Sequence, residues 1–117
     1  MTIKNFNDLV FTDHANNPDG VQAKLDLGNN LEISVVSMKT KSNGYGGLYG
    51  DASNGTYEVA MYHNNSMLPL AKYDDVLGWQ DEVAITRLMG EAQRNGFAWV
   101  DLLHELRNDY TQSLLSD

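Results

Sequence analysis

An alternation of apolar and polar residues predicts a β-hairpin in the first third of the chain. Residues 21–27 carry Val, Ala, Leu and Leu at every second position, with Gln, Lys and Asp between them. This period of two is typical of a strand with one buried face. Gly28-Asn29-Asn30 tolerates positive φ angles, and the alternation resumes at Leu31. The pattern therefore predicts two antiparallel strands joined by a tight turn.

The second strand of this hairpin, residues 31–39, organises the predicted fold. Besides the alternating apolar residues of one face, it carries Val36 and Met38 on the other face. A strand that is apolar on both faces usually lies in the centre of a sheet. Residues 56–63 alternate in the same way, so we predict that they form its antiparallel partner.

Four further segments are predicted to complete or connect the sheet. We expect residues 5–12 to form a short edge strand around an apolar cluster, and residues 14–20, which are dense in turn formers, to form a turn. Residues 66–72 are predicted to be a last strand at a sheet edge, because Pro69 lacks an amide donor. Residues 74–78 are predicted to be a connector.

The hydrophobic period changes in the last third of the chain, where apolar residues fall three and four positions apart. This spacing predicts a helix over residues 80–95, with Gly96 as its stop. A second helix is predicted over residues 97–115, with Trp99 and Leu103 as buried anchors.

Strands that precede helices along the chain favour the α+β class. We predict a single domain, residues 1–117, with an antiparallel sheet of four to five strands and two C-terminal helices packed on one face of the sheet.

Composition narrows the function classes. The chain has 42% hydrophobic residues, no cysteine and a formal net charge of −8. The absence of cysteine excludes disulfides and thiolate metal sites, as suits a cytosolic protein. The negative charge disfavours direct binding to nucleic acid and is compatible with a basic protein partner. The sequence shows no leader-like apolar segment and no run long enough for a membrane span, so we expect a cytoplasmic protein with no membrane partner.

The loop over residues 40–55 is the most distinctive stretch, since it combines glycines with tyrosines. Its backbone amides and Lys41 suggest a phosphate site, but such cradles lead into a helix, whereas this loop leads into a predicted strand. Tyr45, Leu48 and Tyr49 are side chains of the kind enriched in protein contacts, which favours a recognition loop. A loop folded back on its own sheet remains the open alternative.

Other candidate chemistry has a structural explanation. The three histidines, His14, His63 and His104, do not form a zinc-binding motif. Asp74-Asp75 is interpreted as a turn or pre-helix pair, because consecutive side chains point in different directions. No nucleophile elbow is present, so we predict a protein with no metal, no cofactor and no enzymatic activity.

The helical portion, residues 74–117, holds nine acidic residues against three arginines. Such a surface can imitate a nucleic-acid backbone, although solvated helix faces explain the same charges. Both interpretations stay open at this stage.

Four motifs in order resemble a group of short uncharacterised proteins encoded by tailed bacteriophages. They are Ser34-Val35-Val36, Tyr45-Gly46-Gly47, Gly55-Thr56-Tyr57-Glu58-Val59-Ala60 and Asp74-Asp75-Val76-Leu77-Gly78. The longer loop and the predicted second helix depart from that group. The resemblance implies a phage accessory protein expressed inside the host cell, and it implies no catalytic residue.

Together these features lead to the hypothesis of a non-enzymatic phage accessory or host-modulating protein that binds another protein. Its predicted contact residues are Lys41, Tyr45, Leu48 and Tyr49, aided by the acidic surface. One alternative is a small-ligand or nucleotide binder that uses the same loop. Another is a self-associating structural component, a homo-oligomer joined through the loop.

Overall fold

The fold is a six-stranded antiparallel sheet with two C-terminal helices, which confirms the predicted α+β class. A computed structural model describes residues 3–39, 48–70, 75–96 and 98–103. The strands are β1 (Thr12–His14), β2 (Asn17–Gly28), β3 (Leu31–Met38), β4 (Tyr57–His63), β5 (Ser66–Met67) and β6 (Leu77–Gln80). The helices are α1 (Glu82–Asn95) and α2, described over residues 98–103, and two short 3₁₀ helices span Phe6–Asp8 and Ala52–Asn54.

The sheet is built around the predicted hairpin. Its strand order is β1-β2-β3-β4-β5, and β6 pairs with β4 as well. β3 therefore lies centrally, between β2 and β4, as its two apolar faces predicted. Gly28, Asn29 and Asn30 all have positive φ angles at the β2–β3 turn, and Asn64 and Asn65 repeat that conformation at the β4–β5 turn. Small polar residues tolerate this left-handed region better than branched ones do.

One face of the sheet forms the core with both helices. In direct register, Leu25 pairs with Ile33 and Ile33 with Met61, so these side chains point to the same face. The core cluster joins this face to the helices and includes Ala23, Ile33, Val35, Val59, Met61, Ile85, Met89, Ala92, Trp99 and Val100. The prediction that both helices pack on one face is confirmed.

Helix α1 starts two residues later than predicted because Asp81 caps it. The Asp81 side chain accepts a hydrogen bond from the Ala84 amide at 2.8 Å, while Gln80 still belongs to β6. The helix stops at Gly96, which has a φ of +52°, as predicted. Trp99 is 6% exposed, which confirms its role as an anchor, whereas Leu103, the other predicted anchor, is only partly buried against the core. The remainder of the predicted second helix, beyond residue 103, lies outside the described residues.

The predicted edge strand over residues 5–12 is wrong. Asn5 accepts a hydrogen bond from the Asn7 amide, and Asp8 accepts one from the Asn5 amide, so a capping box starts a 3₁₀ helix here. The edge strand is β1, which begins only at Thr12. The predicted turn over residues 14–20 is also too long, since β2 begins at Asn17. Pairing with β1 on one side and β3 on the other outweighs the turn propensity of this stretch.

The predictions for residues 66–78 need two corrections. The strand expected over residues 66–72 is only two residues long, Ser66–Met67, and residues 71–74 lie outside the described part of the chain. The expected connector over residues 74–78 contains the start of β6, which pairs with β4 and raises the strand number to six. A strand of four residues is too short for its own pattern to predict it, so this strand depends on its pairing with β4.

Tyr57 at the start of β4 belongs to a buried aromatic cluster. Its ring centroid lies 5.2 Å from that of Phe6 and 5.3 Å from that of Phe11. Burial, and secondarily the negative charge of Glu82, raise the pKa of the Tyr57 phenol above its ordinary value.

We expect the Tyr57 phenol to make the protein sensitive to alkali. The folded state holds the phenol proton more tightly, so the unfolded chain loses its proton first as pH rises. The contribution of the Tyr57 phenol to the free energy of unfolding is fully present below about pH 10 and is lost as pH rises through the folded-state pKa. Urea unfolding of the wild type and Tyr57→Phe, from about pH 9 to 11, should show a smaller alkaline loss in the variant. Equal losses would contradict the raised pKa.

Candidate protein-binding surface

The structure places two of the four predicted contact residues. Leu48 is partly buried and Tyr49 is 47% exposed, whereas Lys41 and Tyr45 lie outside the described residues. The described part of the predicted recognition loop is residues 48–55, and both placed contact residues lie at its start.

Residues 48–51 are tied to the sheet at both sides. The Met38 amide at the end of β3 donates to the Gly50 carbonyl oxygen at 3.2 Å. The Trp79 amide of β6 donates to the Tyr49 carbonyl oxygen at 2.7 Å. The segment thus bridges β3 and β6, and the positions of Tyr49 and Trp79 are coupled through the backbone.

Two glycines allow this close approach. A Cβ atom on Gly50 would lie 2.7 Å from the Tyr57 Cα atom and 2.8 Å from the Ser37 Oγ atom. A Cβ atom on Gly78 would lie 2.7 Å from the Tyr49 Cβ atom. Because real Cβ contacts are longer than this, the segment can lie against β4 and β6 only where these positions lack a side chain.

Hydrogen bonds of Asp51 hold residues 48–51 against the start of β4. Its carboxylate, in a side chain that is 4% exposed, accepts hydrogen bonds from the Ser53 amide at 3.0 Å, the Ser53 hydroxyl at 2.5 Å and the Asn54 side chain at 3.2 Å. Its backbone amide donates to the Thr56 hydroxyl at 2.9 Å, and its carbonyl oxygen accepts from the Thr56 amide at 3.0 Å. These bonds satisfy an otherwise costly buried carboxylate.

Trp79 lies in a β-bulge and presents a large side chain to solvent. Tyr57 pairs with Gln80 and Val59 with Leu77, so Gly78 and Trp79 together lie opposite Glu58. Trp79 has a φ of +57°, which is unfavourable for a bulky residue, and its side chain is 48% exposed. Strained backbone of this kind concentrates at functional positions, which makes Trp79 a candidate contact residue.

The left-handed backbone of Trp79 predicts an unusual order of stability. Trp79→Gly should be more stable than Trp79→Ala by about 1 kcal/mol, because only glycine adopts this conformation without a Cβ penalty. At exposed Arg87, in the interior of α1, the order should reverse, since glycine is about 1 kcal/mol worse than alanine inside a helix. Urea unfolding of the four variants tests this, and an alanine variant equal to or above the glycine variant at position 79 would contradict it.

A groove of about 350 Å³ lies on the sheet face opposite the helices. Lys24, Val36 and Ala60 line it from β2, β3 and β4, and Leu48 and Val76 line it from outside the strands. Leu48 therefore faces this groove, close along the chain to exposed Tyr49. The contact between Leu48 and the sheet agrees in part with the alternative of a loop folded back on its own sheet, while Tyr49 remains accessible.

The other candidate residues are not brought together by the fold. His14 ends β1 and His63 ends β4, while His104 and Asp74 lie outside the described residues. Among the described residues, no group of three histidine, aspartate or glutamate side chains is placed to hold a metal ion. In that same part of the chain, no helix is both long and apolar enough to span a bilayer.

Sequence reasoning missed Trp79 and the groove. In the sequence, Trp79 is an aromatic residue that follows Gly78 and precedes the predicted helix. Because residues 74–78 were predicted to be a connector, no contact role was predicted for Trp79. The groove could be predicted only by knowing which sheet face the helices cover. The sequence of a strand with two apolar faces does not specify that face. No family model, curated protein or solved structure matches the chain.

Proposed function

We propose that this protein acts by binding another protein, without enzymatic chemistry, and that Tyr49, Trp79 and Leu48 form the centre of the contact surface. The observation that carries this proposal is the pair of aromatic side chains, Tyr49 and Trp79, about half exposed on backbone that is tied down by a 2.7 Å hydrogen bond. Tyrosine and tryptophan dominate the binding energy of protein interfaces.

The fixed backbone favours binding for an entropic reason. Association loses affinity whenever a loop must be ordered at the interface. Because Gly50, Asp51 and Trp79 already hold their hydrogen bonds in the sheet, little further ordering of residues 48–51 is needed. Exposed aromatic rings on such a rigid support resemble the anchors that protein-binding surfaces use.

The proposal also includes the two remaining predicted contact residues and a role for the protein inside a host cell. Lys41 and Tyr45 belong to the same loop as Tyr49 and are proposed as further contacts. The resemblance to small phage proteins supports an accessory or host-modulating role inside the host cell. The net charge of −8 supports a partner with a basic surface.

Affinity capture with the full chain tests the proposal. We expect the tagged protein to recover a specific partner from host lysate, and the double variant Tyr49→Ala/Trp79→Ala to lose at least about tenfold in recovery, because buried aromatic contacts are worth about 2 kcal/mol each. Leu102→Ala, in a side chain that is 50% exposed on α2, is the matched control. No specific partner, or equal recovery by the double variant, would refute the proposed surface.

The alternatives have their own tests. The nucleotide hypothesis depends on Lys41, and a thermal-shift panel of nucleotides tests it, since a ligand of the native state must raise the melting temperature. Sedimentation at two protein concentrations tests self-association.

A further inference from the structure

The sheet face opposite the helices carries a second depression beside the groove. It has a volume of about 210 Å³ and is lined by Asp26 and Glu32, with Asn30, Asn64 and Asn65 from the adjoining turns. Tyr62 lines both the depression and the groove, so the two lie next to each other. The groove end of the face therefore carries apolar side chains at Val36, Leu48 and Ala60 beside the charged Lys24 and Glu58, and the other end, near the hairpin turns, is acidic.

The acidic end presents two like charges side by side. Asp26 of β2 and Glu32 of β3 are direct register partners, and both are exposed. Like charges directly opposite each other in a sheet are destabilising. The nearby Lys4 ammonium donates to the Asp26 carbonyl oxygen at 2.6 Å, and within the described residues neither carboxylate forms a salt bridge. A cation from another molecule would relieve this repulsion.

The spacing between the two ends fits an extended peptide. Ala60 pairs with Ser34, and Val36 pairs with Glu58, so these rows lie two and four residues from Glu32 along β3. At about 3.3 Å per residue the separations are about 7 and 13 Å. Side chains on one side of an extended peptide repeat at about the same interval. A peptide side chain near Ala60 therefore places the side chain two residues later beside Glu32. A peptide side chain near Val36 places the side chain four residues later beside Glu32.

We propose that this face docks an extended segment of the partner protein with apolar residues followed, two to four positions on, by arginine or lysine. The proposal rests on the proposed function and names the chemistry of the partner. Charge complementarity selects this occupant. Asp26 and Glu32 make this end of the face acidic, so a nucleic acid or a second copy of a chain with a net charge of −8 would bring like charges together.

A synthetic peptide tests this inference on the full chain. The probe is fluorescein-labelled Ser-Leu-Ser-Leu-Ser-Arg-Ser-Arg-Ser amide, titrated by fluorescence anisotropy. We expect saturable binding that weakens at least about fivefold, or about 1 kcal/mol, when both arginines become citrulline or both leucines become serine. Asp26→Asn/Glu32→Gln should weaken binding by a similar factor. The amide side chain introduced at position 26 still offers an oxygen to the Gly28 amide, so the turn is preserved.

The matched control removes the same charge elsewhere. Glu91→Gln/Asp101→Asn, at exposed positions on the two helices, should change the affinity less than about twofold. Equal weakening by both double variants, or no saturable binding, would overturn the proposal, as would preference for an acidic peptide or a dimer that buries Tyr62. If a captured partner is lost with Tyr49→Ala/Trp79→Ala but kept with Asp26→Asn/Glu32→Gln, the proposed function stands and this inference falls.

Discussion

Replacing Gly50 by alanine is expected to lower the free energy of unfolding by about 3 kcal/mol, at the upper end of the range for overpacked sites. The added Cβ atom would meet the Tyr57 Cα atom at 2.7 Å and the Thr56 carbonyl oxygen at 2.9 Å, and both belong to the backbone at the start of β4. Backbone atoms cannot move aside as a flexible side chain can. The segment must shift away from β4, and the hydrogen bond from the Met38 amide to the Gly50 carbonyl oxygen weakens with it.

Gly55→Ala is the matched control for this prediction. Gly55 also requires glycine, because its φ is +72°, but no atom lies within 4 Å of the position of its Cβ atom. Its substitution should cost only about 1 kcal/mol, the penalty for a left-handed residue without a clash. Urea unfolding of the two variants measures the difference. Equal losses would show that residues 48–51 are not packed against β4 in solution.

Asp51→Ala is expected to cost about 2–3 kcal/mol, the second large effect. The substitution removes the N-cap of the Ala52–Asn54 turn, which accepts from the Ser53 amide and hydroxyl, and leaves a space where the Asp51 side chain was buried. Asp51→Asn keeps one oxygen for Ser53 and loses only the bond from the Asn54 side chain, so it should cost about 1 kcal/mol. Both variants lose the same charge, so their difference in urea unfolding reports the lost hydrogen bonds and side-chain packing and not the charge. An alanine variant as stable as the asparagine variant would contradict the role of this carboxylate.

These two substitutions also connect the fold to the proposed binding surface. Gly50 and Asp51 follow Tyr49 along the chain and hold its backbone against the sheet. If preorganisation supports binding, each variant should weaken partner capture by more than its loss of folded protein explains.

The N-terminal segment shows why the local hydrophobic pattern predicted a strand over residues 5–12 that the structure does not have. Leu9-Val10-Phe11 looked like the centre of a strand, yet Val10 is 77% exposed and only Leu9 is buried. The capping box of Asn5 and Asp8 depends on two side chains whose pairing a hydrophobic pattern does not register. Contacts distant in sequence complete the structure, since the Lys4 amide donates to the Gln93 side chain 89 residues away.

The candidate surface was predicted only in part, for a related reason. Tyr49 and Leu48 were found because aromatic and apolar side chains in a glycine-rich loop are rare without a role. The sequence did not predict the role of Trp79, because β6 is only four residues long and is held by its pairing with β4 and by the hydrogen bond to the Tyr49 carbonyl oxygen. Positive φ at a tryptophan has no compositional signature, in contrast to the asparagine turns.

Alternation and turn chemistry, which act between near neighbours in the chain, were enough to specify the β2–β3 hairpin, its β4 partner, helix α1 and the α+β class. Contacts between distant segments decide three features: the partners of residues 48–51, which sheet face helices α1 and α2 cover, and the exposure of Tyr49 and Trp79. These contacts contribute to the free energy of folding only when the distant segments have packed together around the core. A pattern of period two says that one face of a strand is buried, but the covering helices and the close approach at Gly50 exist only in three dimensions.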